Sequence, residues 1–476
     1  MNNDIETQSL PLGEQRTLET IEFALKESKA DATEVVIQAE NTSLTRFTGL
    51  SIHQNVTEKT SQLLLRTIWD GKIVSVASND LSKEATRNAL LRSEMLATEI
   101  TSSITPPDFD YAARSSEEHD TNTFSQSTAS CGPKDRAQIV NQACEVFRKC
   151  GVNGAGNIRV HLSELAVGNS FGLRRYAPFS IIALVVVALD ENSNSSGYQN
   201  WVGRDIESMD ARGMSYEVAI KCLMGRNPIV IEAQPMTAIL EPPAVAQLLF
   251  HMNFRSLGVF GAKSARNSDS IIFENLGKRI TSPEISIYDD LATDGFVPMP
   301  FDYEGIDKKR LELVRNGVAK GIAHDLVSSV EFGMKPTGHA QTPGTNPETG
   351  TEFGPSPQHL VMEAGSNSVS ELIESTEYGV LVSRIHGFVS PLSGKEGYMA
   401  GTTRDGLFMI KDGKIVGPIR NFRWMEHIFS AFETVEGISR DRKVQFTDEL
   451  WFPTMALVPT LKLGKFNFVD VQRWSE

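Results

Sequence analysis

Cysteine is scarce in this chain, and its four copies, Cys131, Cys144, Cys150 and Cys222, form neither a C-x-x-C pair nor a regular spacing. That excludes a disulfide framework, and a reducing cytoplasm is the expected home. Long hydrophobic runs are missing as well: no stretch approaches the roughly 18 apolar residues that a membrane helix needs. The opening, MNNDIETQSLPLGEQ, has neither a basic start nor an apolar core and does not read as a secretory signal. Basic residues number 46 against 60 acidic ones, for a net charge of −14. Nucleic-acid binding is driven by Lys and Arg neutralising phosphates, so this balance argues against it. No G-x-S-x-G elbow, phosphate loop or dinucleotide fingerprint occurs in a supporting context. GVFGAKS (258–264), SGKEGYMAGTTRDG (393–406) and GVNGAG (151–156) read as turns.

What is present is ordinary globular material. With 476 residues, 40% of them hydrophobic, the chain is long enough for a sizeable core and for two or three domains. Apolar spacing of three and four residues predicts helices over 15–29, 83–97, 135–150 and near 209–224. Cys144 and Cys222 fall on the apolar faces of two of these and read as small buried hydrophobes. Alternating or continuous apolar runs predict strands at 32–38, 62–68, 73–76, 158–167 and 180–189. The last of these, SIIALVVVAL, should be buried on both faces. Asp70-Gly71, Asn316-Gly317 and Asp412-Gly413 are preferred two-residue hairpin turns. The fold class expected is α+β: a mixed α/β-sheet domain over 1–235, then an antiparallel β-rich domain over 236–476. Residues 103–136, polar and Ser/Thr-rich, read as a surface loop or tether. A second long stretch, 334–359, is broken by five prolines and reads as functional or mobile.

The segment ILEPPAVAQLLFHMNFR (239–255) reads as a strand end, a Glu-Pro-Pro turn and a helix packed through Val245, Leu248, Leu249 and Met252. With WDGKIVSVASNDLS (69–82), NSFGLRRY (169–176), ENLGKRITSPEISIYDD (274–290), FDYEGIDKKRLELVRNGV (301–318), GMKPTGHA (333–340), EYGVLVSRIHGFVSP (377–391) and DGKIVGPIRN (412–421), it makes the chain resemble the TldD/PmbA family of zinc-dependent peptidases. The resemblance covers nearly the whole chain. In the family's metal-binding branch, the 239–255 helix carries His-Glu-x-x-x-His, and a later cysteine completes the site. Laid on that pattern, the histidine positions here are Phe250 and Arg255 and the glutamate position is His251; no cysteine follows Cys222. Phe and Arg cannot ligate zinc. The resemblance therefore implies the PmbA/TldE-like branch, with no cofactor on this chain and zinc expected only on a TldD-type partner.

That branch implies a cytoplasmic subunit of a peptidase assembly, pairing with a TldD-type chain or with itself and acting on unfolded peptides, with no membrane contact. His339, Arg384 and His386 are candidates for a substrate or partner groove, and the 334–359 loop is expected near it. The bland readings stand beside these: His251 as a partly buried histidine hydrogen-bonded to backbone, Arg255 as a surface or salt-bridged arginine. His324, His339, His359, His386 and His427 show no i,i+4 pair and read as scattered. Two alternatives are a stand-alone peptidase with a rearranged metal site drawn from His251, His339 and His386, and a homodimeric peptide-binding scaffold.

Overall fold

A computed structural model describes residues 10–101, 106–115, 122–253, 259–262, 270–291, 293–343, 354–386, 391–393, 397–446 and 454–471. The first half builds one antiparallel sheet from β1 (Ala32–Thr48), β2 (Ser51–Trp69), β3 (Lys72–Ser78), β4 (Asn153–Asn169), β5 (Arg174–Asp190) and β6 (Ser195–Gly203). Their order is β3-β2-β1-β4-β5-β6, which puts the apolar runs of β1, β4 and β5 in the middle. The two faces have different cover. Helices Glu14–Glu27, Lys83–Glu99, Pro133–Cys150 and Ala211–Met224 lie on one face, over Val35, Ile37, Leu63 and Leu65 at one end and over Ile158, Leu162, Ile182 and Leu184 at the other. The opposite face, carrying Val36, Leu165, Phe179, Ile181 and Val185, packs on residues of the second half. Burial of β5 on both faces, expected from its unbroken apolar run, follows from this sandwiching. Cys144 and Cys222 are buried beneath the helices, as their positions predicted.

Strands of the second half are β7 (Met236–Leu240), β8 (Ile287–Asp289), β9 (Leu311–Arg315), β10 (Val318–Ala319), β11 (His359–Met362), β12 (Tyr378–His386), β13 (Pro391–Ser393), β14 (Tyr398–Lys411), β15 (Lys414–Pro418), β16 (Phe422–His427), β17 (Val435–Phe446), β18 (Met455–Phe466) and β19 (Phe468–Val471). They form one sheet whose spine runs β10-β9-β8-β11-β18-β7-β12-β14-β16-β19. It is antiparallel except at β7–β12 and β11–β18, which are parallel. The antiparallel β-rich second half expected from the sequence is thus present, and its parallel β7–β12 pair arises because β7 reaches β12 through the helix Pro242–Asn253 and the chain that follows, a crossover that allows parallel pairing. The α+β class stands. All three hairpin turns form, with Asp70, Asn316 and Asp412 and the glycine after each at positive φ, as a type I′ turn requires.

The reading of 103–136 as a polar tether is overturned for the described residues. Helices Phe109–Ser115 and Gln126–Ala129 lie inside it, and the Pro133–Cys150 helix starts inside it. Phe109 and Ala112 are buried between the sheet and the second half. Two apolar side chains suffice to fix a polar segment when both land in one core. No helix among the described residues is long and apolar enough to cross a membrane.

Candidate functional site

The helix Pro242–Asn253 starts where Glu241, the residue after β7, accepts the first helical N–H groups from Ala244 and Val245 on its carbonyl. The Glu241 carboxylate takes Lys221 from the neighbouring helix at 2.6 Å. Prolines fill the first turn, where an N–H would be unpaired anyway. From Ala244 to Asn253 every residue except Gln247 is buried, because the second sheet wraps this helix through β12, β17 and β18. Val245, Leu248, Leu249 and Met252 pack as their spacing predicted. Phe250 is buried, and its ring stands edge-on to the His251 imidazole at 5.3 Å. Arg255, the third position of the family's metal motif, lies outside the described residues. The last turn is tied to the far end of the 334–359 stretch: the Asn253 amide donates to the Pro357 carbonyl, and Ser356 Oγ donates to Asn253 Oδ1 at 3.0 Å.

That stretch is closed on itself where it is described; residues 344–353 lie outside the described part. Ser356 N–H donates to the His339 carbonyl, and the Gln341 amide donates to the Ser356 carbonyl. Next to this closure sits a buried ionic cluster. Asp289 Oδ2 accepts the backbone N–H groups of Gln358 and His359, each at 2.7 Å. Its Oδ1 faces His339 Nε2 at 3.1 Å and Lys308 Nζ at 3.8 Å. His339 thus stands in contact with the carboxylate, which is its charge partner whenever the ring is protonated. Lys308 Nζ donates to His359 Nδ1 at 3.1 Å, which leaves His359 Nε2–H to donate to the Val297 carbonyl at 2.9 Å. Burial, with Lys308 alongside, accordingly drives His359 down to about 3, so its ring is neutral. Burial also lowers His339 and Lys308, with Asp289 opposing in both cases. For Asp289 itself burial works upward, but Lys308 and His339 outweigh it and hold the carboxyl below the usual range.

Two of the histidines that read as scattered therefore converge on one carboxylate. Asp289, Lys308 and His339 come from three of the segments that carry the family resemblance (274–290, 301–318 and 333–340). The sequence reading passed over Asp289 and Lys308. No local signal marked them: Asp289 follows the apolar run ISIY, but Lys308 sits in the charge-rich FDYEGIDKKR. His386 ends β12 and His427 caps the short helix Ile428–Glu433, so these two sit on other elements.

The three groove candidates do not present one surface. His339 has no exposed surface and is held by Thr337 and Asp289. Arg384, on β12, donates to Asp405 at 3.1 Å, and its guanidinium lies 3.6 Å from the Tyr198 ring centroid on β6. It thus bonds across the two halves. His386 pairs with Thr402 in the β12–β14 ladder.

Neither place fits a zinc ion. The helix offers His251 as its single imidazole, with the Phe250 ring in place of a ligand. At Asp289 the ammonium of Lys308 already occupies the cationic role between carboxylate and imidazole. Among the described residues no group of three or more His, Cys, Asp and Glu side chains is arranged to hold a metal.

Comparison with known proteins places this architecture. A sequence profile of the PmbA/TldA metallopeptidase C-terminal domain matches residues 233–470, half of the chain. A metalloprotease of Methanothermobacter thermautotrophicus is 26% identical over 252 residues, 52% of this chain and 51% of that protein. Metalloprotease PmbA of Escherichia coli O157:H7 is 21% identical over 208 residues, 43% of this chain and 45% of its own length. The chain thus spans about half the length of the curated relatives it matches. In three dimensions, TldE of Thermococcus kodakarensis superimposes with a TM-score of 0.80 at 18% identity, covering 95% of this chain and 99% of that one. The profile match carries the assignment and the superposition carries the fold: the chain belongs to the TldD/PmbA metallopeptidase family.

Proposed function

We propose that this chain is the PmbA/TldE-like, non-metal-binding subunit of a peptidase assembly that acts on unfolded peptides. In that assembly a TldD-type partner holds the zinc, and this chain completes the substrate chamber. The observation that supports it most is the family's metal helix, retained as a packed element that carries a buried Phe250 at the first histidine position and a buried His251 at the glutamate position. A helix with Phe at a ligand position keeps its architectural role and loses its Lewis acid. The likeness to TldE in fold is consistent with this reading. All four cysteines are free, which suits a cytoplasmic location.

The test is reconstitution. Purified alone, the chain is expected to carry no stoichiometric zinc and to leave an unfolded peptide intact. Mixed with a TldD-type protein, it should co-elute on sizing and support chelator-sensitive cleavage. Chelator-sensitive cleavage by this chain alone, abolished by His251→Ala, would overturn the reading.

A further inference from the structure

Strand β6 ends the six-stranded sheet, with β5 on one side and no strand on the other among the described residues. An open strand edge is a row of backbone donors and acceptors, and folded proteins usually cover or blunt it. Here the edge lies inside a cleft of about 870 Å³, along Gln199, Trp201 and Gly203, with Asp205 just past the end of the strand. One wall is the helix Ala211–Met224, which packs so closely that a Cβ on Gly197 would stand 2.2 Å from the Val218 carbonyl. The other wall is residues 293–298 with Val444 and Gln445 of β17, anchored where the Asn200 amide donates to the Phe446 carbonyl at 2.8 Å. The groove is therefore walled on both faces of the sheet and open in its plane. The five strand residues 199–203 that line the cleft offer roughly 16 Å of pairing length.

Two further observations point to a guest. Asn200 and Gln445, 5% and 2% exposed, both line the cleft, and neither Asn200 Oδ1 nor Gln445 Oε1 accepts a hydrogen bond. A buried unpaired acceptor carries a desolvation penalty of about 1–3 kcal/mol, which a donor brought in by a ligand relieves. The lining is also acidic: Asp205, Asp210, Glu217 and Asp294 face only Arg204 and Lys443. Lys443 reaches across the mouth to Glu217 at 3.4 Å, but both side chains are more than half exposed. Such a pair holds weakly and yields to an incoming cation.

We propose that this cleft binds an extended polypeptide as a seventh strand on β6, with a Lys or Arg side chain of the guest set against Glu217. Backbone pairing supplies affinity that is tolerant of sequence, and the walls select for an unfolded, neutral-to-basic segment. The proposal rests on the reading above that the chain handles unfolded peptides, and it names where this subunit holds them.

The test titrates a fluorescein-labelled ten-residue Thr/Val peptide with one central lysine into the full chain, without any partner. Saturable binding is expected, with exchange of the amides of 199–205 slowed at least tenfold in the complex. Methylating alternate backbone nitrogens of the peptide should abolish binding. Glu217→Gln and Gln445→Leu should each weaken it at least fivefold, while Gln445→Leu leaves the melting temperature unchanged or raised. Three results would overturn the proposal: no saturation at millimolar peptide, binding without protection of 199–205, or binding indifferent to N-methylation and to both variants. Because no partner is present, such a failure is separate from the outcome of the reconstitution with a TldD-type protein.

Discussion

The face of the first sheet that meets the second half is built in two contrasting ways. Toward β5 and β6 the contact is apolar: Ile181, Ala183, Val185 and Val202 lie against Val297, Val361, Phe446 and Leu457. Toward β1 and β2 an apolar cluster of Val36, Leu64 and Phe109 with Phe301 and Ile306 is flanked by buried ion pairs. Arg66 of β2 bridges Glu34 at 2.9 Å and Glu304 at 2.6 Å under the Phe109 ring, and Arg175 takes Asp307 at 2.7 Å. Asp302 accepts backbone N–H groups from Glu304, Ile306 and Ala340, and burial pushes it up to about 7 against that pull. An apolar contact tolerates sliding and is indifferent to pH. A buried charge network is neither, since each member needs its partner at a fixed place. The ionic end therefore sets the register in which the two halves meet, and the apolar end supplies burial.

Breaking the ionic end should have the largest effect. Arg66→Met leaves Glu34 and Glu304 buried without their cation, and a loss of about 3–5 kcal/mol is expected in urea denaturation. Burial already holds both carboxyls above their usual range, and Arg66 opposes that shift. Adding Glu34→Gln and Glu304→Gln to Arg66→Met should restore most of the stability, because the stranded charges go with the arginine. If the single variant melts like the parent, the ionic end does not lock the interface.

Acid offers the second way to separate the two ends. His161, on β4 beside Glu40, is held down to about 4 by burial, with Arg159 adding to the effect. Its unfolded value is near 6.5. A lowered base contributes stability that is present above pH 6.5 and is lost as pH falls toward 4. The slope is roughly 1.4 kcal/mol per pH unit in that window. His161→Gln should remove this component, so the variant loses less stability than the parent between pH 6.5 and 4.5. Parallel stability curves for the two proteins would show that the ring titrates normally. Asp302 acts in the opposite sense. Its raised value favours the folded state at low pH, and that advantage fades as pH rises from about 4 to about 7, so the comparison must be made variant against parent.

The apolar half of this contrast was legible in the sequence, and the ionic half was not. SIIALVVVAL announces a strand buried on both faces, and Asp-Gly and Asn-Gly announce their turns, because local physics sets these features. The helix 242–253 was equally readable from Val245, Leu248, Leu249 and Met252. Glu34, Arg66 and Glu304 meet only after β1 pairs with β2 and the second half docks, and nothing local marks a charge as buried. The burial of Phe109 was hidden for the same reason, since it is one ring in the polar 103–136 segment. Asp289, Lys308, His339 and His359 lie up to 70 residues apart, so their convergence is a property of the topology. The open edge of β6 is likewise invisible until the strand order is known.

The apolar end gives the smallest and most diagnostic prediction. Ile181 is 3% exposed at the centre of that contact, and Ile181→Val removes one methylene there. A loss of about 0.5–1.5 kcal/mol is expected, from lost transfer energy and a cavity the neighbours only partly fill. Because His359, the imidazole against Phe296 of this cluster, is held down to about 3 and stays neutral across this range, that loss should be the same at pH 4.5 and pH 7, whereas the effect of His161→Gln changes between them. A pH-dependent cost for Ile181→Val would mean that the apolar contact is not independent of the charges. Removing burial at one end would then shift the carboxylates at the other, and the two ends would form a single cooperative interface.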